Sequence, residues 1–371
     1  MNQKVEKGKT LLVDGPAAVT VTSGKVEVFG MCVRKDHRIV VREGKRLPFF
    51  AEETSNLSIS LGENASLKEV DGDTVPSSWV ETFGRLIQLL KRPVVTMVIG
   101  KTDSGKTSFC AYLINRLFSH KQRVAILDGD LGQTEIGPPC TVGYAFVSEP
   151  LTEMYNMKLR NGFFVGSTSP NGALDKILEG MILMKSEITN ESADFVIINT
   201  DGWVEGEEAL KYKVKLAEKL EPDVVFFVQQ KDELQHLITA LKKFTTIILE
   251  SPQEAKQRDT AKRKNLRDLN YAKYLAGAKL KAMPLNYLKI EKENAMANKL
   301  KEEKGLLLGL QNNHRRFLGI GILINVDLAR KTLRVLTSVS EKPAIITFGK
   351  VTLDENFRET SIMLPYDNVS G

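Results

Sequence analysis

Two glycines, a lysine and a threonine in the spacing Gly100-x-x-x-x-Gly105-Lys106-Thr107 can do a nameable piece of chemistry, which is to hold phosphate. Lys101, Thr102, Asp103 and Ser104 fill the interval, and Ser108 follows. Glycines let backbone N–H groups turn inward around phosphate oxygens, and the N-terminus of a following helix adds positive potential. Lys106 would span the outer phosphates and Thr107 would offer its hydroxyl to Mg²⁺. The motif requires a buried strand before it and a helix after it, and VVTMVI and AYLINRLF read as both. An ordinary glycine turn is the bland alternative, and the flanking elements count against it. The next apolar run ends in DGDLGQ, Asp128 to Gln133. Carboxylates at the carboxyl end of a neighbouring strand face the phosphates, where they hold a metal or take a proton from a nucleophile. Asp130 and Gln133 are therefore candidates for chemistry, and capping of the local loop is the competing role for Asp130 and still more for Asp128. Guanine specificity usually shows as Asn/Thr-Lys-x-Asp; VQQKDEL lacks that order, which favours ATP and leaves GTP open.

The elements that must position these residues read as α/β. From Val94 to about Ser251, strand-length apolar runs (VVTMVIG, RVAILDGD, FFVGSTS, DFVIINTDG, DVVFFVQQ, TTIILES) alternate with helical segments. That pattern belongs to a mostly parallel sheet covered on both faces. Before it, residues 8–75 alternate with period two between Gly, Asp and Pro punctuation, as a small antiparallel β domain does. WVETFGRLIQLLKR spaces Trp79, Phe83, Leu86, Ile87 and Leu90 as a connecting helix. After it, FLGIGILINVD, TLRVLTSV and AIITFGKVTL return to alternation, while KIEKENAMANKLKEEKG reads as a solvated helix or linker. The expected division is 1–76 for an N-terminal β domain, 77–283 for a P-loop domain carrying a basic lid at about 251–282, and 284–371 for a C-terminal β-rich domain.

Composition narrows the classes. The chain is 42% hydrophobic, with a formal charge of +6 and no run approaching the roughly 18 uncharged apolar residues of a membrane span. Its start, MNQKVEKGKT, lacks the apolar core of a signal peptide, so a soluble, cytoplasmic protein with no membrane partner is expected. Cys32, Cys110 and Cys140 are too scattered for a disulfide framework or a metal set, as are His37, His120, His236 and His314. Between Ser251 and Ala282, nine Lys or Arg face three acids, a local basic surface fit for an anionic partner.

Taken together, GKTDSGKT, DGDLGQ, the strand-end NTDGW and a basic segment with paired arginines resemble the polynucleotide 5′-hydroxyl kinases of the Clp1/Grc3 family, above all the archaeal members. GPAAVTVTSGKVEVFG near the start, VGSTSP at 165–170 and LGIGILINVD near the end extend the resemblance over most of the chain. The resemblance implies a central P-loop domain with β-rich flanks, ATP and Mg²⁺ as cofactors, and RNA or DNA bearing a 5′-OH as substrate. It implies that Lys106 and Thr107 hold triphosphate and metal, that Asp130 accepts the 5′-OH proton and faces the metal, and that Arg258 and Arg263 close over the phosphates, with Arg267 a further candidate. Thr200 and Trp203 would grip the terminal nucleotides together with Gln133. Physical reasons agree: planar arginine donors match phosphate oxygens, and an aromatic ring stacks on any base. The bland roles are a packing anchor for Trp203, a solvated face for Lys256, Lys262 and Lys264, and a plain turn for Gly166, Ser167, Thr168 and Ser169.

Three rivals remain. Lys101 stands where dimeric ATPases resembling MinD and ParA carry a signature lysine, though TDS follows it here instead of their glycines. Some relatives of the resembled family look like ATP-binding scaffolds for RNA-processing proteins, but this chain keeps Asp130, Thr200, Trp203, Arg258 and Arg263. A GTP-dependent switch is opposed by the missing base-specificity motif.

Overall fold

Continuous burial decides where the central sheet lies. In the computed structural model, which describes residues 1–256, 258–291, 304–327 and 329–362, every residue of Val94–Gly100 and of Val224–Gln229 is buried. Strands covered on both faces carry no polar alternation, which is why these runs read as uninterrupted apolar sequence. In chain order this part comprises α1 (Ser77–Leu86), β1 (Val94–Gly100), α2 (Lys106–Ser119), β2 (Val124–Asp128), β3 (Thr141–Phe146), β4 (Asn161–Phe164), α3 (Leu174–Asn190), β5 (Phe195–Asn199), α4 (Glu207–Leu220), β6 (Val224–Gln229), α5 (Gln235–Ala240), β7 (Thr245–Glu250) and α6 (Thr260–Tyr274). The fold is α/β with a central P-loop domain and β-rich flanking regions. Among the described residues no helix is long and apolar enough to cross a membrane.

The chain divides into two compact units. The first comprises Met1–Ile126, Phe146–Met157 and Ile188–Asp259. Its strands run in the order β2-β5-β1-β6-β7. β5, β1, β6 and β7 pair in parallel, with Val98 opposite Asn199 on one side and Phe226 on the other. Its amino-terminal part is two antiparallel sheets, one of four strands centred on Ser55–Leu61 and Ala17–Ser23, the other of five centred on Arg46–Ala51 and Lys9–Asp14. Both central strands of the four-stranded sheet alternate buried residues with half-buried or exposed ones, and the buried Val19, Val21, Leu57 and Ile59 pack with Val13, Val28, Leu47 and Phe49.

α1 is shorter than its periodicity predicts. It ends at Leu86, and Leu90 is 97% exposed. Pro93 disfavours the helical conformation at Arg92, so the helix must end before β1 starts at Val94, and it does so six residues before Arg92. Trp79 from α1 is fully buried against Phe109 and Tyr112 of α2, and its indole N–H donates to the Glu250 carbonyl at 3.0 Å. This anchors α1 on the strand ends that carry the site.

The second unit comprises Leu127–Ala145, Lys158–Glu187 and the chain from Thr260 onward. β3 and β4 pair antiparallel there. Its large sheet runs Lys279–Pro284, Thr332–Thr337, Phe317–Asp327, Leu306–Gln311, Ile345–Leu353 and Lys289–Glu291, with Glu359–Ile362 added beside Ile345–Leu353. KLKAMP, part of the expected basic surface, and LLLGLQ, which has no period-two signal, are both strands here. Most of KIEKENAMANKLKEEKG lies outside the described residues.

Candidate phosphate-loop site

β1 ends at Gly100 and α2 begins at Lys106, so the intervening residues must reverse the chain within one turn. Gly105 makes this possible with φ of 95°, and a Cβ there would meet Pro252 Cδ at 2.8 Å. A side chain at 105 would be both strained and obstructed. The loop closes on itself: Ser104 N–H donates to the Lys101 carbonyl at 3.2 Å, and the Lys106 ammonium donates to the same oxygen at 2.7 Å. Ser251 pins the outside, its hydroxyl donating to the Ser104 carbonyl at 2.7 Å. Ser104 Oγ is buried and has no hydrogen-bond partner among the described residues. The first turn of α2 holds no acidic residue, so its positive end is not cancelled locally. An orphaned buried hydroxyl, a lysine head folded into the loop and an uncompensated helix N-terminus fit phosphate oxygens.

The NTDGW turn leaves the neighbouring strand β5 and is held from several sides. Thr200 is 1% exposed, and its hydroxyl donates to the Val98 carbonyl of β1 at 2.8 Å. The Asp201 carboxylate accepts the Trp203 N–H at 2.9 Å and pairs at 2.9 Å with Lys213, which is fully buried and also donates to the Asp201 carbonyl. A buried ammonium is tolerated only when paired and hydrogen-bonded, so this pair fixes the turn. Gly202 brings the turn onto the phosphate loop: a Cβ there would lie 2.2 Å from Thr102 Oγ1. Trp203 stacks on Tyr212 of α4, with ring centroids 6.0 Å apart and 26° between the planes. Sequence reasoning missed the Asp201–Lys213 pair. Its signal was an acid in NTDGW followed by a lysine on the apolar face of the next helix.

Lys101 reaches Glu205 just beyond this turn, at 2.6 Å. The hydrogen bond from Lys101 holds the Glu205 carboxyl below its ordinary value, and Glu205 raises the lysine in return. Arg258 meets the loop at Asp103. Its backbone N–H donates to Asp103 Oδ2 at 2.9 Å, one guanidinium nitrogen donates to Asp103 Oδ1 at 3.2 Å, and Nε donates to the Gly44 carbonyl at 3.0 Å. Lys256 instead pairs with Asp14 at 3.2 Å, beside Arg46. Burial pushes the Asp14 carboxyl up, but Arg46 and Lys256 more than reverse this and leave it below its usual range. A cavity of about 780 Å³, lined in part by Gln229, Gln230, Ser251, Pro252, Asp73 and Thr74, opens beside the loop's outer wall.

The remaining candidates belong to the second unit. Asp128 is fully buried, and its carboxylate accepts from the Asp130 and Glu135 N–H groups and the Thr134 hydroxyl at 3.2, 2.8 and 3.1 Å. Asp130 is half-buried, and its Oδ1 accepts the Gly132 and Gln133 N–H groups at 3.1 and 2.9 Å. The Gln133 amide donates to the Arg263 carbonyl of α6 at 3.2 Å, so these two candidates meet. Arg267 is held in a two-pronged ion pair with Glu359, both bonds 2.9 Å long. Ser167 accepts the Ser169 N–H and donates to its carbonyl, the pattern of a plain turn.

The P-loop model of the mRNA cleavage and polyadenylation factor CLP1 matches residues 100–277. A polyribonucleotide 5′-hydroxyl-kinase of Pyrococcus furiosus is 27% identical over 327 residues, covering 74% of this chain and 92% of the relative. One from Methanocaldococcus jannaschii is 25% identical over 329 residues, 74% of this chain and 91% of the relative. The solved structure of Clp1p in complex with Pcf11p superposes with a TM-score of 0.78 at 15% identity, covering 95% of this chain and 97% of that one, which is a likeness of fold. The chain is thus similar to CLP1 through its P-loop region, residues 100–277, and to archaeal polyribonucleotide 5′-hydroxyl-kinases over about three quarters of its length.

Proposed function

We propose that this protein is a polynucleotide 5′-hydroxyl kinase that moves the γ-phosphoryl group of ATP onto the 5′-OH end of RNA or DNA. The carrying observation is the closed phosphate loop, with the Lys106 ammonium folded onto the Lys101 carbonyl, in a chain whose archaeal relatives bear that activity in their names. Phosphoryl transfer spreads negative charge over equatorial oxygens, so catalysis consists mainly of positioning and of cationic stabilisation. In this reading Gly100 to Ser108 cradle the triphosphate, Lys106 meets its outer oxygens, and Asp130 takes the proton from the attacking hydroxyl. Arg258 and Arg263 supply charge at the phosphates. Trp203 stacks on a terminal base, Gln133 lies beside the acceptor, and Thr200 holds the strand end that presents them. Thr107 and Asp130 are the residues that would hold Mg²⁺, which when bound neutralises phosphate charge. The cavity lined in part by Ser251 and Pro252 offers room for the nucleotide base. The same proposal divides the chain at 76 and 283, treats 251–282 as the lid and places the enzyme in the cytoplasm.

A second reading, an ATP-binding scaffold for RNA-processing proteins, draws on the solved complex of Clp1p with Pcf11p. One assay separates the two. Label from γ-labelled ATP should appear on 5′-OH RNA or DNA, never on 5′-phosphorylated controls, and disappear with Lys106→Ala. Tight ATP binding without transfer to any end would favour the scaffold.

A further inference from the structure

We propose that Asp103, in the interval between the two glycines of the phosphate loop, is the positioning residue for the Arg258 guanidinium. The inference rests on the kinase reading above and adds to it a residue that never touches substrate through its side chain. Asp103 has φ of 60°, and its side chain is only 2% exposed. A non-glycine residue in the left-handed region is strained unless its surroundings hold it there, and such strain collects at functional turns. Here the hold is specific. Both carboxylate oxygens are engaged by Arg258, one through its backbone N–H and one through its side chain.

The consequence lies in what the arginine has left. A guanidinium carries five N–H donors in a fixed plane. Asp103 Oδ1 takes one and the Gly44 carbonyl takes the Nε donor, so three remain without a partner among the described residues. Those two anchors fix the plane at the rim of the loop and leave the other donors for equatorial phosphate oxygens. Charge points the same way, because an unpaired carboxylate within a phosphate loop would repel the ligand. Paired with Arg258 it is neutralised, and the loop keeps its affinity for anions.

Asp103→Asn tests this, because it keeps the shape and one acceptor oxygen but removes the charge. The readouts are kcat for transfer to a 5′-OH oligoribonucleotide, affinity for a non-hydrolysable ATP analogue, and amide hydrogen exchange of the peptide containing Arg258. The expected result is a kcat lower by about 10- to 100-fold, the scale of a misplaced catalytic group. Analogue affinity should stay within about twofold, and Arg258 exchange should speed up. Asp103→Ala combined with Arg258→Ala should lose no more than Arg258→Ala alone, since residues acting as one unit are not additive. Wild-type kcat in Asp103→Asn, or additive losses in the double variant, would overturn the proposal. If the wild-type protein phosphorylates no end at all, the kinase reading falls instead. Exchange at Arg258 still judges the anchor, faster in Asp103→Asn if it stands and unchanged if it does not.

Discussion

The turns that leave β1 and β2 both begin at the carboxyl end of a buried strand, yet they are held by opposite means. The turn after β1 takes its shape from a missing side chain at Gly105 and from two bonds to the Lys101 carbonyl, one from the Ser104 N–H and one from the Lys106 ammonium. The turn after β2 takes its shape from a side chain, the buried Asp128 carboxylate that gathers donors from Asp130, Thr134 and Glu135. In the first, under the kinase proposal, the Lys106 ammonium would meet ligand while Gly105 and the Ser104 N–H bond can still form the turn without it. In the second, the proposal gives the chemistry to Asp130 and the fold mainly to Asp128, one glycine away, although Asp130 also accepts the Gly132 and Gln133 N–H groups. Function and stability should therefore come apart at Lys106 and, in the second turn, divide between Asp130 and Asp128.

The largest expected effect is at Lys106. Lys106→Ala should lower transfer by on the order of 10³-fold, the scale of removing a charge-stabilising donor at a transition state. Thermal melting should stay close to wild type, because Gly105 and the backbone still form the loop. A large fall in melting temperature would merge binding and folding at this turn and break the comparison.

Asp130→Asn comes next. A general base contributes about 10²–10⁴-fold, and asparagine keeps an oxygen to accept the Gly132 and Gln133 N–H groups. Turnover should fall by that factor while nucleotide affinity and melting hold. Normal turnover would remove Asp130 from the role of base.

Asp128→Ala should reverse the pattern. Hydrogen bonds to a charged group are worth about 1.5–3 kcal/mol, and a buried donor left unpaired costs about 1–3 kcal/mol. A loss of about 2–4 kcal/mol in denaturant unfolding is expected. Unchanged stability with lost activity would exchange the roles of the two aspartates.

This also marks where the sequence is legible. The phosphate loop can be read because its determinants are local: two glycines, a strand and a helix. The parallel strands can be read because burial on both faces leaves continuous apolar runs. Asp128 and Asp130 look alike because burial depends on what lies above the turn, and Arg258 and Arg267 look alike because their partners are remote. Arg267 is held by Glu359 and Arg258 by Asp103, each far away in the chain. LLLGLQ escapes a period-two search because all six of its residues are buried. KLKAMP reads as basic surface because it is a mostly exposed strand at the end of its sheet.

The smallest predicted effect concerns Trp203, and it sharpens the comparison with a third turn. NTDGW combines both strategies: Gly202 allows close approach to Thr102, and the Asp201 carboxylate, locked by Lys213, fixes the backbone. Neither device needs the indole, so this turn should keep its shape in Trp203→Ala. Stacking on a base is worth about 1–3 kcal/mol by alanine substitution, which at 1.4 kcal/mol per tenfold means a KM for the oligonucleotide about 5- to 150-fold higher. KM for ATP should not move, and Trp203→Phe should recover most of the loss. The competing outcome is equally definite. Trp203 already stacks on Tyr212, and if that is its whole role, the alanine variant will melt earlier with an unchanged oligonucleotide KM.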